Sequence, residues 1–423
     1  MRKNTKDSIV IGFALFSMFF GAGNLIFPAF LGHTLGKDFF LGIIGFIITG
    51  VGLPLLAILA CSKGDGTFET LAGKIDKKFA VLCTAILFIA IGPMLGIPRT
   101  AATTYELTIH PFFPNISPLV AMTIYFLINL FFVLRSSSVI DAIGKYLTPA
   151  LLIILTIIII KGIFMPIGEI LNTNATSVLP SALLQGYQTM DAIAALLFAG
   201  IITTSLISKG YKEKQMPSMI LKSSLVAVIG LAFVYGGLMY IGAQTVNLAP
   251  SDIGKTGLLL LISKSVLGNI GTTLIGVAMG LACLTTSIGL LTAGATFFEK
   301  VSKGKLSFKL NAIVLAIISL GIACLGVDKI VVLSEPILNV LYPVSITLIV
   351  TTLLSKYITN IKAVKLGVYT SLIFGLLFAI PGLNLSFIPL ANIGFGWVLP
   401  TLLAICLGYI IFSTQPQINA NEI

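Results

Sequence analysis

Apolar residues run in long blocks along this chain, and polar residues punctuate them. Continuous apolar segments fall at about 8–33, 39–61, 80–105, 116–134, 148–167, 186–208, 221–246, 271–298, 311–327, 330–354, 364–382 and 396–412. An α-helix needs roughly 20 residues to cross a bilayer. The pattern therefore predicts twelve membrane-spanning helices, numbered here as spans 1 to 12. Between them, residues 64–78 read as a short loop with room for an interfacial helix. Residues 247–269 read as a longer connection with room for another.

Composition agrees with this division. Of 423 residues, 57% are apolar and only 10% are charged, where a soluble domain carries about 25% charged residues. Mean hydropathy is +1.07. Soluble classes are excluded, and one compact polytopic domain embedded in the lipid bilayer is expected. The net charge of +11 would suggest a nucleic-acid partner in a soluble protein. Here no nucleic acid is implied, because basic residues collect in the cytoplasmic loops of membrane proteins. With the N-terminus inside, 20 Lys and Arg residues fall on the inner pieces and five on the outer ones, and Arg99 alone lies within a span. One missed span would exchange the sides of every later loop. The bias thus predicts twelve spans with both termini cytoplasmic.

The basic start followed by an apolar run imitates a secretory signal. That run reaches about Leu31 and has no clean cleavage site, so it is expected to be retained as span 1. The five cysteines lie apart within apolar runs and form no CxxC pair, so neither a disulfide framework nor a zinc site is expected. No organic cofactor and no obligate protein partner are indicated.

Two spans carry backbone breakers. Span 1 contains Gly21-Ala22-Gly23-Asn24, and span 6 opens with Gln185-Gly186-Tyr187-Gln188-Thr189-Met190-Asp191. Non-helical backbone survives at membrane depth only where it lines a cavity. Broken helices at matching places in two halves point to a transporter's binding site. Spans 1 and 6 are five apart, and an odd-numbered repeat puts its second copy upside down. Two inverted five-span halves are therefore expected. A half-helix beginning near Leu25 would direct N–H groups and a positive dipole end at a carboxylate. One ending near Phe20 would offer carbonyls to an ammonium group or a cation. Small residues packing two helices closely are the ordinary alternative.

Asp191 is the most informative acid, since a carboxylate inside a span is expensive. Substrate binding, cation binding, proton carriage and capping of the following half-helix are all open to it. Gly186, Tyr187, Thr189 and Met190 frame the same break. In span 8, Ala282, Thr285 and Thr286 place one carbonyl and two hydroxyls on one helix face. Hard oxygen ligands suit Na+, although such hydroxyls often bond only to their own helix. Asn24 and Thr189 are candidates for a second cation position. Arg99 in span 3 is read as a snorkelling residue within reach of Glu106, with a gate toward Asp191 or a substrate carboxylate as the alternative. Glu335, before Pro336, marks the start or a break of span 10 and is a second gating candidate.

The string Phe19-Phe20-Gly21-Ala22-Gly23-Asn24-Leu25-Ile26-Phe27-Pro28 resembles the first-span signature of the BrnQ-type branched-chain amino acid carriers, in the amino acid–polyamine–organocation superfamily. Ile97-Pro98-Arg99-Thr100-Ala101 and Gly186-Tyr187-Gln188-Thr189-Met190-Asp191 also resemble segments of that family. The likeness runs over essentially the whole chain. It implies an all-α LeuT-like core in residues 1–354 (spans 1–10), with peripheral spans 11 and 12 in residues 355–423. It implies symport of leucine, isoleucine and valine with Na+ or H+. It also implies that the carbonyls of Ser17 and Phe20 complete the Na+ site with Ala282, Thr285 and Thr286. Gly21, Ala22, Gly23, Asn24, Gly186, Tyr187, Thr189, Met190 and Asp191 are then the substrate-binding set.

Other classes fit poorly. The sequence has no HExxH, GxSxG, P-loop or GxGxxG, which disfavours a membrane enzyme. No span is lined by repeated polar residues, as a channel requires.

Overall fold

The computed structural model describes residues 3–64, 66–135, 138–212, 215–250 and 252–412. Helices dominate because lipid offers no partner to a free peptide group, so each span satisfies its own backbone. Short polar residues start several of them. Asp76 accepts from the N–H groups of Lys78 and Phe79 at the head of span 3. Ser117 caps span 4 beside Pro118, Ser307 caps span 9 and Asn360 caps span 11, each supplying an oxygen to a first-turn donor.

Twelve spans are present among the described residues. Six are single helical runs long and apolar enough to cross a membrane: Phe39–Cys61, Lys77–Ile109, Met216–Ala243, Asn269–Val301, Val327–Leu353 and Ile361–Ala379. Four shorter apolar helices, Pro118–Leu134, Pro149–Phe164, Phe308–Ala323 and Val398–Ile411, are spans 4, 5, 9 and 12. The remaining two are divided. Span 1 consists of Lys3–Phe19 and Gly23–Leu35; span 6 consists of Val178–Tyr187 and Asp191–Ser208. The interfacial helix is Phe68–Gly73, and the long connection holds the helix Lys255–Leu267.

Two expectations are corrected. Span 6 begins at Val178 rather than near residue 186, so its break lies in mid-span and not at its opening. The polar Gln185 and Gln188 hide a half-helix from a reading based on apolar runs. Span 10 neither starts nor breaks at Glu335-Pro336. It runs unbroken through both Pro336 and Pro343.

The packing follows the two-half plan. Span 1 packs along span 7, and span 6 packs along span 2. Exchanging the halves turns the first pair into the second. Span 8 packs on span 3, a pair that the exchange maps onto itself. Spans 1 and 7 approach backbone to backbone. A Cβ on Gly32 would strike the Met239 carbonyl, and one on Gly242 would strike the Ala29 carbonyl. Span 11 packs on span 10, and span 12 on span 11.

Span 3 carries an unforeseen kink. A π-helical turn covers Ala90–Met94, where Gly92 has φ −77° and ψ −109° just before Pro93. Proline removes a donor from the helix ladder, and π-turns are frequent at functional sites. This one swings Ile91, Gly96, Arg99 and Thr100 toward the breaks of spans 1 and 6.

Candidate functional site

Between the two breaks lies a cavity of about 40 Å³, walled by spans 1, 3, 6 and 8. Gly21, Ala22, Asn24, Arg99, Thr100, Thr189, Asp191 and Thr286 supply its backbone and polar surface, and Phe19, Ile91, Met190, Ala194, Phe198 and Leu290 its apolar surface. This volume holds only a few waters, whereas small-molecule pockets offer about 300 Å³ or more. An amino acid entering here must part the walls. A larger apolar hollow of about 280 Å³ between spans 3, 4 and 8 is lined by no charged residue.

Asn24 organises the break in span 1. Its Oδ1 accepts from the Gly21 N–H at 2.8 Å, and its Nδ2 donates to Asp191 Oδ2 at 2.6 Å and to the Tyr235 hydroxyl. Tyr235, fully buried in span 7, also donates to Asp191 Oδ2, at 3.1 Å. The Asp191 side chain therefore does not cap its own half-helix. It joins spans 1, 6 and 7.

The break in span 6 is held from outside. Met190 adopts the left-handed region at φ +64°, a strained conformation for a non-glycine residue. Tyr342 of span 10 donates to the Tyr187 carbonyl at 2.8 Å, and the Ser334 hydroxyl reaches Gln188 Oε1 at 2.6 Å. Arg99 Nη1 donates to the Gln188 carbonyl at 2.6 Å, and Nη2 to the Thr189 carbonyl at 3.3 Å. Thr189 donates to the Gly186 carbonyl at 2.9 Å.

Most of the expected substrate set converges. Gly21, Ala22, Asn24, Thr189, Met190 and Asp191 line the cavity. Gly23, Gly186 and Tyr187 do not. Gly23 makes room for Arg99, whose Nη2 would stand 2.8 Å from a Cβ there. Gly186 packs against span 2, where a Cβ would strike Thr49 Oγ1. Tyr187 stacks on Tyr342, with centroids 4.0 Å apart and planes 14° apart, and so turns away from the cavity.

Arg99 is the clearest departure. It is 5% exposed and does not snorkel. Its partner is not Glu106, which instead accepts from the Thr256 hydroxyl at 2.6 Å and the Val327 N–H at 2.9 Å. Arg99 sits at the breaks, stacked 5.3 Å from the centre of the Phe27 ring. Glu335 is exposed and does not line the cavity, because the face of span 10 turned inward carries Ser334 and Tyr342 instead.

Of the expected cation ligands, Thr286 lines the cavity, its Oγ1 3.7 Å from a Cβ position on Gly21. The Thr285 hydroxyl donates to the Ala282 carbonyl at 2.8 Å. Phe20 is unwound, with its ring stacked on Phe16. Ser17 belongs to the first half-helix of span 1, and its side chain lies outside the described residues. Tyr235, Tyr342 and Ser334 were missed by sequence reasoning. The available signal was a phenol inside an otherwise apolar span, since a buried tyrosine hydroxyl needs a partner.

Comparison with known proteins fits this geometry. The chain is similar to the permease BraB of Bacillus subtilis, with 36% identity covering 99% of this chain and 98% of the relative. Identity to the permease BrnQ of the same organism is 33%, covering 96% and 97%. Among solved structures, MhsT in complex with L-phenylalanine aligns with a TM-score of 0.57 at 18% identity, covering 95% of this chain and 98% of that one. Mhp1 in its inward-facing conformation aligns at 0.65 and 14%, covering 97% and 91%. These structures establish a LeuT-like fold. The family model described as branched-chain amino acid transport protein matches residues 4–415. By that match and by its relatives this chain belongs to that family and is a multi-pass amino acid transporter, not an enzyme.

Proposed function

We propose that the protein imports leucine, isoleucine and valine by symport with Na+ across a bacterial-type cell membrane, with both termini cytoplasmic. The observation carrying this reading is the cavity at which Asn24 and Asp191 join the two breaks while apolar side chains form the remaining walls. Such a cavity suits a zwitterionic head with an aliphatic side chain. The names of the Bacillus permeases BraB and BrnQ, branched-chain amino acid permeases, support the choice of substrate. The loop-by-loop distribution of Lys and Arg supports the orientation.

In this reading the substrate ammonium faces Asp191 and the carbonyl ends near Phe20 and Gly186. Its carboxylate faces the positive end of the half-helix starting at Gly23. Na+ sits between spans 1 and 8, taking the carbonyls of Ser17, Phe20 and Ala282 and the hydroxyls of Thr285 and Thr286. These oxygens match the preference of a hard cation. An ion tying span 1 to span 8 favours the conformation that accepts substrate, so ion and substrate couple through their shared preference for one state.

Replacing Thr285 and Thr286 together by alanine tests the ion site. Leucine uptake into proteoliposomes should lose its dependence on Na+ concentration, and unchanged dependence would overturn the site. A second reading, H+ coupling through Asp191, is favoured by one observation. This carboxylate is buried, and the side chains that donate to it, Asn24 and Tyr235, are neutral. Proton-driven uptake that disappears in Asp191→Asn would establish it instead.

A further inference from the structure

Arg99 presents an unresolved charge. Its guanidinium is buried, and the ion pairs among the described residues all lie elsewhere: Asp7–Lys209, Lys255–Asp328, Glu69–Lys300 and Asp76–Lys365. A buried cation is costly unless paired, and Asp191, the acid that borders the same cavity, forms no ion pair with it within 4 Å. Only two of its five N–H donors are engaged, both by peptide carbonyls. The bonds are unequal: Nη1 holds the Gln188 carbonyl at 2.6 Å, whereas Nη2 reaches the Thr189 carbonyl only at 3.3 Å. Nη2 is also the atom beside Gly23, at the start of the second half-helix of span 1. Arg99 borders the cavity that Asp191 borders.

We propose that Arg99 is the receptor for the substrate's carboxylate. This deepens the reading of the cavity as an amino-acid site and rests on it. The carboxylate is the one anionic group of an amino acid, and a guanidinium fork matches it in shape and charge. The weakly held Nη2 turns from the Thr189 carbonyl to the carboxylate, while Nη1 stays on the Gln188 carbonyl. Gly23 lacks a Cβ where one would block that movement. The ammonium then faces Asp191 across the cavity, so each end of the zwitterion meets the opposite charge. Asn24 Oδ1 holds the Gly21 N–H, and the Thr189 hydroxyl donates to the Gly186 carbonyl. Carboxylate binding also loosens Thr189 from Arg99, so occupancy is transmitted to the break of span 6.

The test compares leucine with 3-methylbutylamine, which is leucine without its carboxylate. Calorimetric titration of each into wild type, Arg99→Gln and Arg99→Lys in nanodiscs separates a contact from a structural role. Arg99→Gln should weaken leucine binding about 100-fold, the scale of a truncated buried charge pair, and leave the amine within about threefold. Arg99→Lys keeps the charge and loses the fork, so its loss of leucine affinity should be smaller and again specific to leucine. If both variants weaken leucine and the amine alike, or leave leucine unaffected, Arg99 is not the receptor. Should Arg99→Gln fail to fold, the same comparison in Arg99→Lys decides. A wild-type protein that binds neither ligand overturns the amino-acid reading and this inference with it. A wild type that binds leucine, beside variants that lose both ligands equally, overturns this inference alone.

Discussion

Span 1 is interrupted at Phe20–Ala22 and span 6 at Gln188–Met190, yet the two interruptions are kept open by different means. The first is local: Asn24 folds back on the Gly21 N–H three residues away, and two glycines relax the backbone. The second is imposed. Gln188, Thr189 and Met190 contain no glycine, Met190 is forced to positive φ, and Arg99, Tyr342 and Ser334 grip the segment from spans 3 and 10. A locally encoded break can stay fixed while its surroundings move. An imposed break changes when its grips change, which makes span 6 the half that senses spans 3 and 10.

The sharpest way to break this contrast is at the residue the two breaks share. Asn24→Ala removes the Gly21 cap together with donors to Asp191. Leaving a buried carboxylate short of a donor costs about 3 kcal/mol. Leucine binding should vanish and the melting temperature should fall steeply in a thermal-unfolding scan. Next comes a comparison of glycines. Gly186→Ala drives a methyl into Thr49 and the span 2 backbone and should lower stability by about 1–3 kcal/mol, whereas a Cβ on Gly21 meets nothing closer than 3.7 Å. Gly21→Ala should therefore melt near wild type. Equal losses at the two positions would contradict the distinction between a packing glycine and a cavity glycine.

Tyr342→Phe leaves the stacked ring on Tyr187 and removes only the hydroxyl that holds the Tyr187 carbonyl. A loss of about 1 kcal/mol should accompany a change in leucine affinity, because an imposed break loses one grip. The smallest effect is expected far from both breaks. Asp76 accepts from the N–H groups of Lys78 and Phe79, and those bonds hold its carboxyl below the usual range. A lowered folded-state pKa means that the stabilisation is present near neutral pH and is lost as pH falls through the carboxylate range. Asp76→Ala should melt slightly lower at neutral pH, and the difference should close on acidification.

This contrast also explains what could be read along the chain. Span 1 announced its break because the signal sits within four consecutive residues, Gly21 to Asn24. Span 6 announced a break within Gln185 to Asp191 but not its place in mid-span or its supports, because the residues holding it are 89 and 155 positions away. The twelve spans were legible because lipid imposes one length and one polarity on each helix. The broken halves of span 1 and most of the cavity residues followed from the same constraint. Arg99 was misread because its depth allowed a snorkelling conformation. The kink at Gly92-Pro93 was needed to turn it inward, and a kink's direction depends on packing rather than on the two residues that permit it. Glu335 was misread for the complementary reason. An acid in an apolar run suggests a site, but its neighbour Ser334 occupies the buried face.

The most direct measurement is uptake of labelled leucine into proteoliposomes under an imposed Na+ gradient or an imposed proton gradient. The expected result is accumulation driven by Na+ and competed by isoleucine and valine, with little response to protons alone. Accumulation driven only by protons would move the coupling role to Asp191 and leave Thr285 and Thr286 as packing residues. No accumulation under either gradient, by protein that still melts cooperatively, would contradict the proposal that the cavity between spans 1 and 6 carries branched-chain amino acids.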